Sequence, residues 1–256
     1  MTRRFAKYEG LGNDFVVIEG EPDGVSKGDA VRLCDRRLGV GADGVLVVSS
    51  GDRMRVINAD GSVPEMCGNG IRCVALHLAL ARGIDRGTFV IETDAGSRSC
   101  EIVRNGDRAS VRVDMGNVRF VGEREVEGTK LLIGDAGNPH AIMFFGMFGE
   151  FSSADIDALG PRFATHPAFP AGTNVEFARV KDGGIDLIVW ERGVGRTLAC
   201  GTGACATAVV ALAKGLVRGP RVRVTLPGGD LEIEPGEPTF MTGPARLVFH
   251  GEVDTP

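Results

Sequence analysis

The chain has 256 residues, which is enough for one large domain or two of ordinary size, and it is 43% hydrophobic and 25% charged, as globular proteins usually are. A net charge of −5 and an aromatic content of 6% argue against nucleic acid as the main partner, because phosphates attract basic side chains and bases stack on aromatic ones. No apolar run approaches the roughly 20 residues of a membrane-spanning helix, and the N-terminus lacks the apolar core of a signal peptide. The sequence therefore predicts a cytoplasmic protein without a membrane partner.

Alternating apolar residues and β-branched side chains predict a chain dominated by strands. The predicted strands lie near residues 3–8, 15–19, 45–49, 54–58, 88–93, 97–103, 110–114, 130–133, 140–145, 174–180, 185–191, 222–225, 231–233 and 245–249.

Four helices are predicted between these strands. The first covers 26–38, with Ser26 as its N-cap and Asp29 three residues later, and a segment at 153–166 is interrupted by Gly160-Pro161. The two clearest helices cover 69–82 and 202–216, and each ends at or near a glycine, as helix C-termini often do.

These two clearest helices belong to an internal repeat. MCGNGIRCVALHLALARG begins at Met66 and ACGTGACATAVVALAKG begins at Ala199, and in both a cysteine and Gly-x-Gly precede an apolar helix. A Gly-Asn loop precedes each block, at Asn13 and again at Asn138. The separation between the two loops is similar to the separation between the two cysteines. Two matching features in one order indicate that one fold has been duplicated.

Each half combines many strands with one helix that is apolar on nearly every side, which indicates a sheet wrapped around a buried helix. The expected fold class is α+β rather than an alternating α/β arrangement. We expect one half at 1–116, completed by 245–256 and contributing Cys67, and the other at 117–244, contributing Cys200. The join is expected near 116–122.

The segment GVGADG at 39–44 matches the dinucleotide-binding fingerprint Gly-x-Gly-x-x-Gly. That fingerprint requires a strand before it and a helix after it, whereas here a predicted helix precedes and a predicted strand follows. We therefore interpret the segment as a tight loop leading into a buried strand.

Four of the six cysteines are expected to be buried core residues with reduced thiols: Cys34, Cys73, Cys100 and Cys205. No metal site is expected, because neither close cysteine pair has Cys-x-x-Cys spacing and no histidine pair lies near either one.

Cys67 and Cys200 differ from the other four, because each precedes Gly-x-Gly at a predicted helix start. A helix N-terminus lowers a thiol pKa from its ordinary value of about 8.5, and its first N–H groups can bind a carboxylate. One such thiol could mark a structural turn. Two in matching halves could face each other across a ligand in a cleft between the halves.

Two opposed thiols permit two kinds of chemistry. They could form a disulfide in a redox reaction. Alternatively, a thiolate could remove a proton from one face of a carbon while a thiol donates one to the other face, which inverts the stereocentre. Helix-terminal N–H groups would then stabilise the carbanion through the substrate carboxylate.

Polar residues in the predicted loops suit an amino-acid substrate. Arginine binds carboxylates in two-point fashion and glutamate can hold an ammonium group, while histidine and glutamate can shift the pKa of nearby thiols. The candidates are Asn58, Asn138, His140, Asn174, Glu191 and Arg192.

Together these segments resemble the diaminopimelate epimerase family, over nearly the whole chain. The matching segments are KYEGLGNDFVVIE, GVGADGVL, NADGSVPEMCGNGIRC, GNPH, TNVEF, ERGVGRTLACGTGACA and MTGPARLVFHG. The resemblance implies two pseudo-symmetric domains, each a barrel-like, mostly antiparallel sheet around a central helix. It also implies cofactor-free interconversion of LL- and meso-diaminopimelate, in lysine and peptidoglycan biosynthesis, with no metal.

The resemblance also assigns roles to individual residues. Cys67 and Cys200 match the family's acid/base pair, and His140 and Glu191 match residues that modulate the two thiols. The matching substrate-binding positions are Asn13, Asn58, Gly68, Asn69, Asn138, Asn174, Glu191, Arg192, Gly201 and Thr202. A homodimer is expected, with Phe249 near its interface.

One position departs from part of the family, in which a glutamine that touches substrate stands where this chain has Gly44. The main alternative is a proline racemase or hydroxyproline epimerase, whose cysteine blocks resemble MCGHG and DRSPCGTG and lack the Glu191-Arg192 pair. A thiol redox protein is a further alternative, which would use both cysteines but not Arg192. A binding module would need neither cysteine.

Overall fold

A computed structural model of the chain describes residues 2–145 and 152–254. Met1, residues 146–151 and residues 255–256, which the predicted halves include, lie outside the described part. The chain forms two compact units, and the second is a continuous segment. Unit 1 comprises Met1–Val113 and Thr242–Pro256, and unit 2 comprises Asp114–Met241.

Unit 1 contains a strand-rich sheet and two helices, α1 (Lys27–Cys34) and α2 (Gly68–Ala81). Its strands are β1 (Thr2–Gly10), β2 (Asn13–Glu19), β3 (Gly44–Ser49), β4 (Arg53–Asn58), β5 (Arg86–Thr93), β6 (Gly96–Asn105), β7 (Arg108–Asp114) and most of β16 (Phe240–Asp254). The strands pair in the order β1-β2-β3-β4-β5-β6-β7-β16, and β16 also pairs with β1. The sheet of unit 1 therefore closes into a barrel.

Unit 2 repeats this plan with helices α3 (Ser153–Ala164) and α4 (Gly201–Ala213). Its strands are β8 (Arg119–Val126), β9 (Thr129–Asp135), β10 (Pro139–Phe144), β11 (Asn174–Lys181), β12 (Gly184–Glu191), β13 (Gly195–Thr197), β14 (Val222–Leu226) and β15 (Gly229–Glu234). They pair in the order β8-β9-β10-β11-β12-β14-β15, with β13 added beside β12.

The connections confirm the repeat that the sequence predicts. Most strand pairs are antiparallel, but β2–β3 and β4–β5 in unit 1 are parallel, as are β10–β11 and β12–β14 in unit 2. A parallel pair needs a crossover connection, and helices α1, α2, α3 and α4 respectively lie in these four connections. The order of pairings and crossovers is therefore the same in both units.

Helices α2 and α4 form the centres of their units. Most residues of each are buried, and each helix packs against several strands of its own unit. Their sequences are apolar on nearly all sides for this reason, since no face is left for solvent. None of the helices in the described part of the chain has the length and apolar character that spanning a bilayer requires.

Helix α1 begins as predicted: Ser26 accepts from the Asp29 N–H and Asp29 accepts from Ser26, which forms a capping box. The helix ends at Cys34, earlier than the predicted residue 38. The loop at 39–44 then follows α1 and leads into β3, which confirms that it lacks the strand–loop–helix setting of a dinucleotide site.

The interruption predicted in the helix at 153–166 is wrong, because α3 continues through Pro161. Pro161 lies in the last turn and so removes only one late backbone hydrogen bond, while the Thr165 hydroxyl donates to the Pro161 carbonyl. Gly160 is required by packing, since a Cβ there would lie 2.5–2.7 Å from atoms of the Trp190 ring.

Two strands were not predicted. The expected join at 116–122 runs into β8, whose side chains are mostly exposed and which bulges between Phe120 and Gly122, so no apolar alternation marks it. Strand β13 has three residues, too few for a pattern. Each of the other strands overlaps a predicted segment.

Candidate active site

The two repeat cysteines are the N-cap residues of the two central helices. Cys67 has φ −135° and ψ 114°, and Cys200 has φ −127° and ψ 109°, so their backbones match. Each sulfur accepts a 3.4 Å hydrogen bond from the N–H three residues later, Gly70 in α2 and Gly203 in α4. A sulfur thus takes the place usually held by a serine or aspartate oxygen, at the positive end of a helix dipole.

The second glycine of each Gly-x-Gly lies between the capping sulfur and a side chain of the neighbouring sheet. A Cβ on Gly70 would lie 3.0 Å from Leu46 Cδ2 and 3.5 Å from Cys67 Sγ. A Cβ on Gly203 would lie 2.9 Å from Glu176 Oε1 and 3.3 Å from Cys200 Sγ. Neither helix has an acidic residue in its own first turn that would compete for the N-terminal amides of Gly68, Asn69, Gly201 and Thr202.

In unit 1, Asn13 and Asn69 belong to one hydrogen-bonded chain that ends at the start of α2. The Asn69 amide donates to Asn13 Oδ1 over 3.0 Å, and Asn13 donates to Asp43 Oδ2 over 2.7 Å. Arg72, which is fully buried, donates to Asn69 Oδ1 and to the Gly68 carbonyl, each over 3.0 Å. The orientation of both asparagine amides is therefore fixed by charged neighbours.

A cluster of charged side chains, which includes Asp43 of the loop at 39–44, holds this hydrogen-bonded series of side chains in place. Asp43 and Asp14 both accept from Arg36, and the buried Lys7 ammonium pairs with Asp14 at 2.6 Å. Burial alone would raise the pKa of Asp14, but hydrogen bonds from Arg36 and Lys7 outweigh it and hold that pKa below its ordinary value. The loop carries a structural ion network that positions Asn13.

Asn58 lies at the end of β4, opposite Gly44 on β3. Its amide donates to Ser62 Oγ over 3.0 Å, which leaves its carbonyl oxygen to accept from a ligand. Gly44 has no side chain, so this position contributes only backbone atoms to the site.

In unit 2, Asn138 and His140 form a chain with a residue that sequence reasoning missed. His140 and Glu176 are both fully buried, and His140 Nδ1 lies 2.6 Å from Glu176 Oε1. His140 Nε2 lies 3.0 Å from Asn138 Oδ1. The imidazole therefore links the buried carboxylate to the asparagine amide.

Three further predicted residues meet where β11 and β12 run side by side. The backbone N–H of Arg192 donates to Asn174 Oδ1 over 2.8 Å, so the Asn174 NH₂ group can serve as a donor to a ligand. The Arg192 guanidinium donates to the Ala171 carbonyl, and Thr197 donates to Glu191 Oε1 over 2.5 Å. A carboxylate and a guanidinium at successive positions suit a substrate that carries both ammonium and carboxylate groups.

Cys200 is only 6% exposed, whereas Cys67 is half-buried. Burial is the main cause that raises the pKa of the Cys200 thiol well above its ordinary value, and the charges of Glu191 and Glu176 act in the same direction. Hydrogen bonds from Thr202 and from the Gly203 N–H oppose this rise without cancelling it. This direction is opposite to the lowering that a helix N-terminus alone predicts, because the effect of burial on the Cys200 thiol is larger.

The other four cysteines are buried, as predicted. Burial raises the pKa of Cys34 to about 11 and raises that of Cys73 further. Both thiols therefore stay protonated and unreactive at neutral pH.

Sequence reasoning missed Glu176 and Arg72. The available signal was a charge inside an apolar element: Glu176 interrupts the buried run of β11, and Arg72 interrupts the apolar run of α2. Charged residues are almost never fully buried without a partner, so such an interruption indicates a specific interaction.

Among the described residues, no group of three or more histidine, cysteine or carboxylate side chains is placed to hold a metal ion. A cavity of about 470 Å³ lies in unit 2 and is lined by Phe145, Arg179 and Arg196 among others, but by none of the predicted site residues.

Comparison with known proteins places this chain in a family. The family model for diaminopimelate epimerase matches residues 5–121 and 133–248. The diaminopimelate epimerase of Desulforudis audaxviator is 46% identical, over 97% of this chain and 98% of that protein. That of Synechocystis is 40% identical, over 99% of this chain and 100% of that protein.

Solved structures show the same fold at much lower identity. A predicted epimerase from Pseudomonas aeruginosa superposes with a TM-score of 0.76 at 15% identity, over 99% of this chain and 100% of that one. A hydroxyproline epimerase from Agrobacterium vitis superposes with a TM-score of 0.73 at 16% identity, over 98% of this chain and 91% of that one. From these matches in sequence and fold, the chain belongs to the diaminopimelate epimerase family.

Proposed function

We propose that this chain interconverts LL- and meso-2,6-diaminopimelate without a cofactor, as a step of lysine and peptidoglycan precursor biosynthesis. The observation that carries the proposal is the matched placement of Cys67 and Cys200 as N-caps of the two central helices. Relatives that are 40–46% identical bear the name of this activity, whereas the hydroxyproline epimerase is 16% identical. The proline-type alternative is therefore less well supported.

The proposed reaction is a proton transfer at one carbon with two bases. A Cys67 thiolate removes the α-proton from one face, and the electron pair of the C–H bond stays on carbon. The Cys200 thiol then delivers its proton to the opposite face, so the carbon is inverted, Cys67 becomes a thiol and Cys200 becomes a thiolate. The reverse reaction starts from that state and restores the first one. The mechanism requires both sulfurs to reach the same substrate carbon.

The helix N-termini supply the stabilisation that the carbanion needs. We assign the α-carboxylate to the amides of Gly68, Asn69, Gly201 and Thr202. As the proton leaves, negative charge spreads onto the carboxylate oxygens, and N–H donors fixed in place interact with it more strongly than with the ground state.

The asparagine amides and the Glu191-Arg192 pair are assigned to the polar groups of the substrate. Arg192 would bind the distal carboxylate, and Glu191 would hold an ammonium group. The bonds that fix Asn13, Asn138 and Asn174 leave each amide with defined donors and acceptors, which favours one arrangement of the substrate over others.

We further assign a cytoplasmic location, where thiols stay reduced, and a homodimer with Phe249 at its interface. Phe249 is 46% exposed on β16 next to the half-exposed Val248, although its ring also makes an edge contact with Phe5. Sedimentation should give a dimer for the wild type and a monomer for Phe249→Asp. A wild-type monomer would contradict this assignment.

The test of the function is an exchange assay on reduced protein without added cofactor or metal. The protein should convert LL-diaminopimelate to the meso isomer and introduce solvent deuterium at the α-carbon that is inverted. Proline and glutamate serve as control substrates and should not exchange. Exchange into proline alone would support the proline-type alternative, and absence of exchange into all three would refute the proposal.

A further inference from the structure

The two central helices meet different side chains at the same structural position. Val17 and Leu46 are neighbours across the parallel pair β2–β3, and Ile142 and Glu176 are neighbours across the equivalent pair β10–β11. Leu46 lies against Gly70, and Glu176 lies against Gly203, each glycine being three residues after its capping cysteine. The repeat therefore places an apolar side chain behind the Cys67 cap and a carboxylate behind the Cys200 cap.

Glu176 is held in this position at a cost that packing alone does not explain. It is fully buried, its Oε1 is bound to His140, and its Oε2 has no hydrogen-bond partner among the described residues. A buried polar atom without a partner costs roughly 1–3 kcal/mol. A leucine, as in the other unit, would avoid that cost but would leave the buried His140 Nδ1 without this partner, so unit 2 retains the carboxylate and the imidazole as a pair.

The charged groups near the two helix starts are different. The groups that act on the Cys200 thiol are Glu191 from β12 and Glu176 from β11, with His140 of β10 bonded to Glu176, and both carboxylates disfavour a thiolate there. At the Cys67 helix, the buried Arg72 cation donates to the carbonyl of Gly68, the residue after the cap. Counted from the caps, the residue that matches Arg72 in α4 is the buried Cys205. A cation favours a thiolate nearby.

We propose that Glu176 is a positioning residue that keeps Cys200 protonated, so that the resting enzyme has Cys67 as the proton acceptor and Cys200 as the proton donor. This inference rests on the proposed epimerase function. In the two-base reaction proposed above, the resting enzyme can accept the α-proton of the substrate isomer whose α-proton faces Cys67. The other isomer must wait until the pair carries its proton on Cys67. In this proposal Glu176 on β11, held in place by His140, adds to the effect of burial and of Glu191 on Cys200.

The test titrates the two thiols directly in the full-length protein without substrate. Protein labelled with carbon-13 at cysteine Cβ is followed by NMR across pH, and the Cys67 and Cys200 signals are assigned from their loss in Cys67→Ser and Cys200→Ser. In the wild type, Cys67 should ionise at lower pH than Cys200. In Glu176→Gln, which keeps a hydrogen-bonding side chain, the thiolate fraction of Cys200 at a fixed pH below its midpoint should rise roughly threefold or more, since removing a nearby negative charge stabilises the thiolate.

The matched control is Glu125→Gln, an exposed carboxylate on β8 of the same unit, which should leave both titrations unchanged. A folded Glu176→Gln protein whose Cys200 titrates as in the wild type would overturn the proposal. If that variant does not fold, the order in which the two thiols ionise in the wild type is the test. Ionisation of Cys200 at the same pH as Cys67, or at a lower pH, would overturn the proposal. Because the titration needs no turnover, a failure of the exchange assay remains a separate result.

Discussion

The start of α2 and the start of α4 have the same backbone and different surroundings. Both are capped by a cysteine whose sulfur accepts from a glycine N–H at 3.4 Å. Around α2 the structure places Leu46, a buried arginine and an asparagine chain, whereas around α4 it places a buried histidine–glutamate pair. Duplication thus preserved the geometry that presents a thiol, and divergence changed the charges that decide whether that thiol holds its proton.

The largest expected effect comes from removing either sulfur. Cys67→Ser and Cys200→Ser should each reduce epimerisation at least about 100-fold, because positioned acid–base groups contribute about 10²–10⁴-fold and a serine hydroxyl does not ionise in this pH range. Circular dichroism should show that both variants remain folded. Full activity in either one would show that the two caps are not equivalent parts of one reaction.

A smaller effect should separate the two glycines behind the caps. Gly203→Ala would press a Cβ against Glu176, whose carboxylate is fixed by His140, whereas the nearest atom to a Cβ at Gly70 is the end of the Leu46 side chain. We expect Gly203→Ala to lower the free energy of unfolding by about 1–3 kcal/mol. Gly70→Ala should cost less, because the end of the Leu46 side chain can move away from the new Cβ, whereas the Glu176 carboxylate is held by His140. Both variants share the gain in helix propensity, which is up to about 1 kcal/mol. Denaturant unfolding measures both, and equal losses would contradict the difference drawn between the two helix starts.

The smallest expected effect concerns stability against acid in unit 1. His77 on α2 lies 3.1 Å from the Tyr8 hydroxyl and 2.8 Å from Glu19, and the residue that matches it in α4 is the apolar Val210. Burial lowers the pKa of His77 below its ordinary value of 6.5, although Glu19 opposes this. The folded state therefore binds a proton less readily than the unfolded chain.

It follows that the stability from a neutral His77 is present above about pH 6.5 and is lost as the pH falls below it. His77→Gln should flatten the dependence of the free energy of unfolding on pH in that range. Parallel curves for the variant and the wild type would show that His77 does not make α2 more acid-sensitive than α4.

The sequence predicted the features of this fold that repeat or alternate. The cysteine blocks and Gly-Asn loops revealed the duplication, and apolar alternation located most strands. It did not predict β8, because a strand with mostly exposed side chains has no apolar period, nor the passage of α3 through Pro161, because a proline in a last helical turn removes only one hydrogen bond.

The candidate site was predictable where a residue lies in a loop or a motif, and not where it acts from the core. The capping position of Cys67 and Cys200 follows from Cys-Gly-x-Gly before an apolar run. The contact of Glu176 with His140 depends on the register between β10 and β11, which only the folded sheet sets. The raised pKa of Cys200 could not be predicted either, because it results mainly from burial, which depends on how the folded chain packs.

The most direct test of the account is the origin of the proton that reaches the product. Unlabelled LL-diaminopimelate is converted in D₂O, and product and remaining substrate are analysed by mass spectrometry at low conversion. If Cys67 removes one proton and Cys200 supplies another, the meso product should carry one solvent deuteron at the α-carbon while the remaining substrate stays unlabelled. A product that retains its original proton would mean that one base serves both faces, and it would contradict the assignment of the two helix-capping thiols to opposite faces of the carbon.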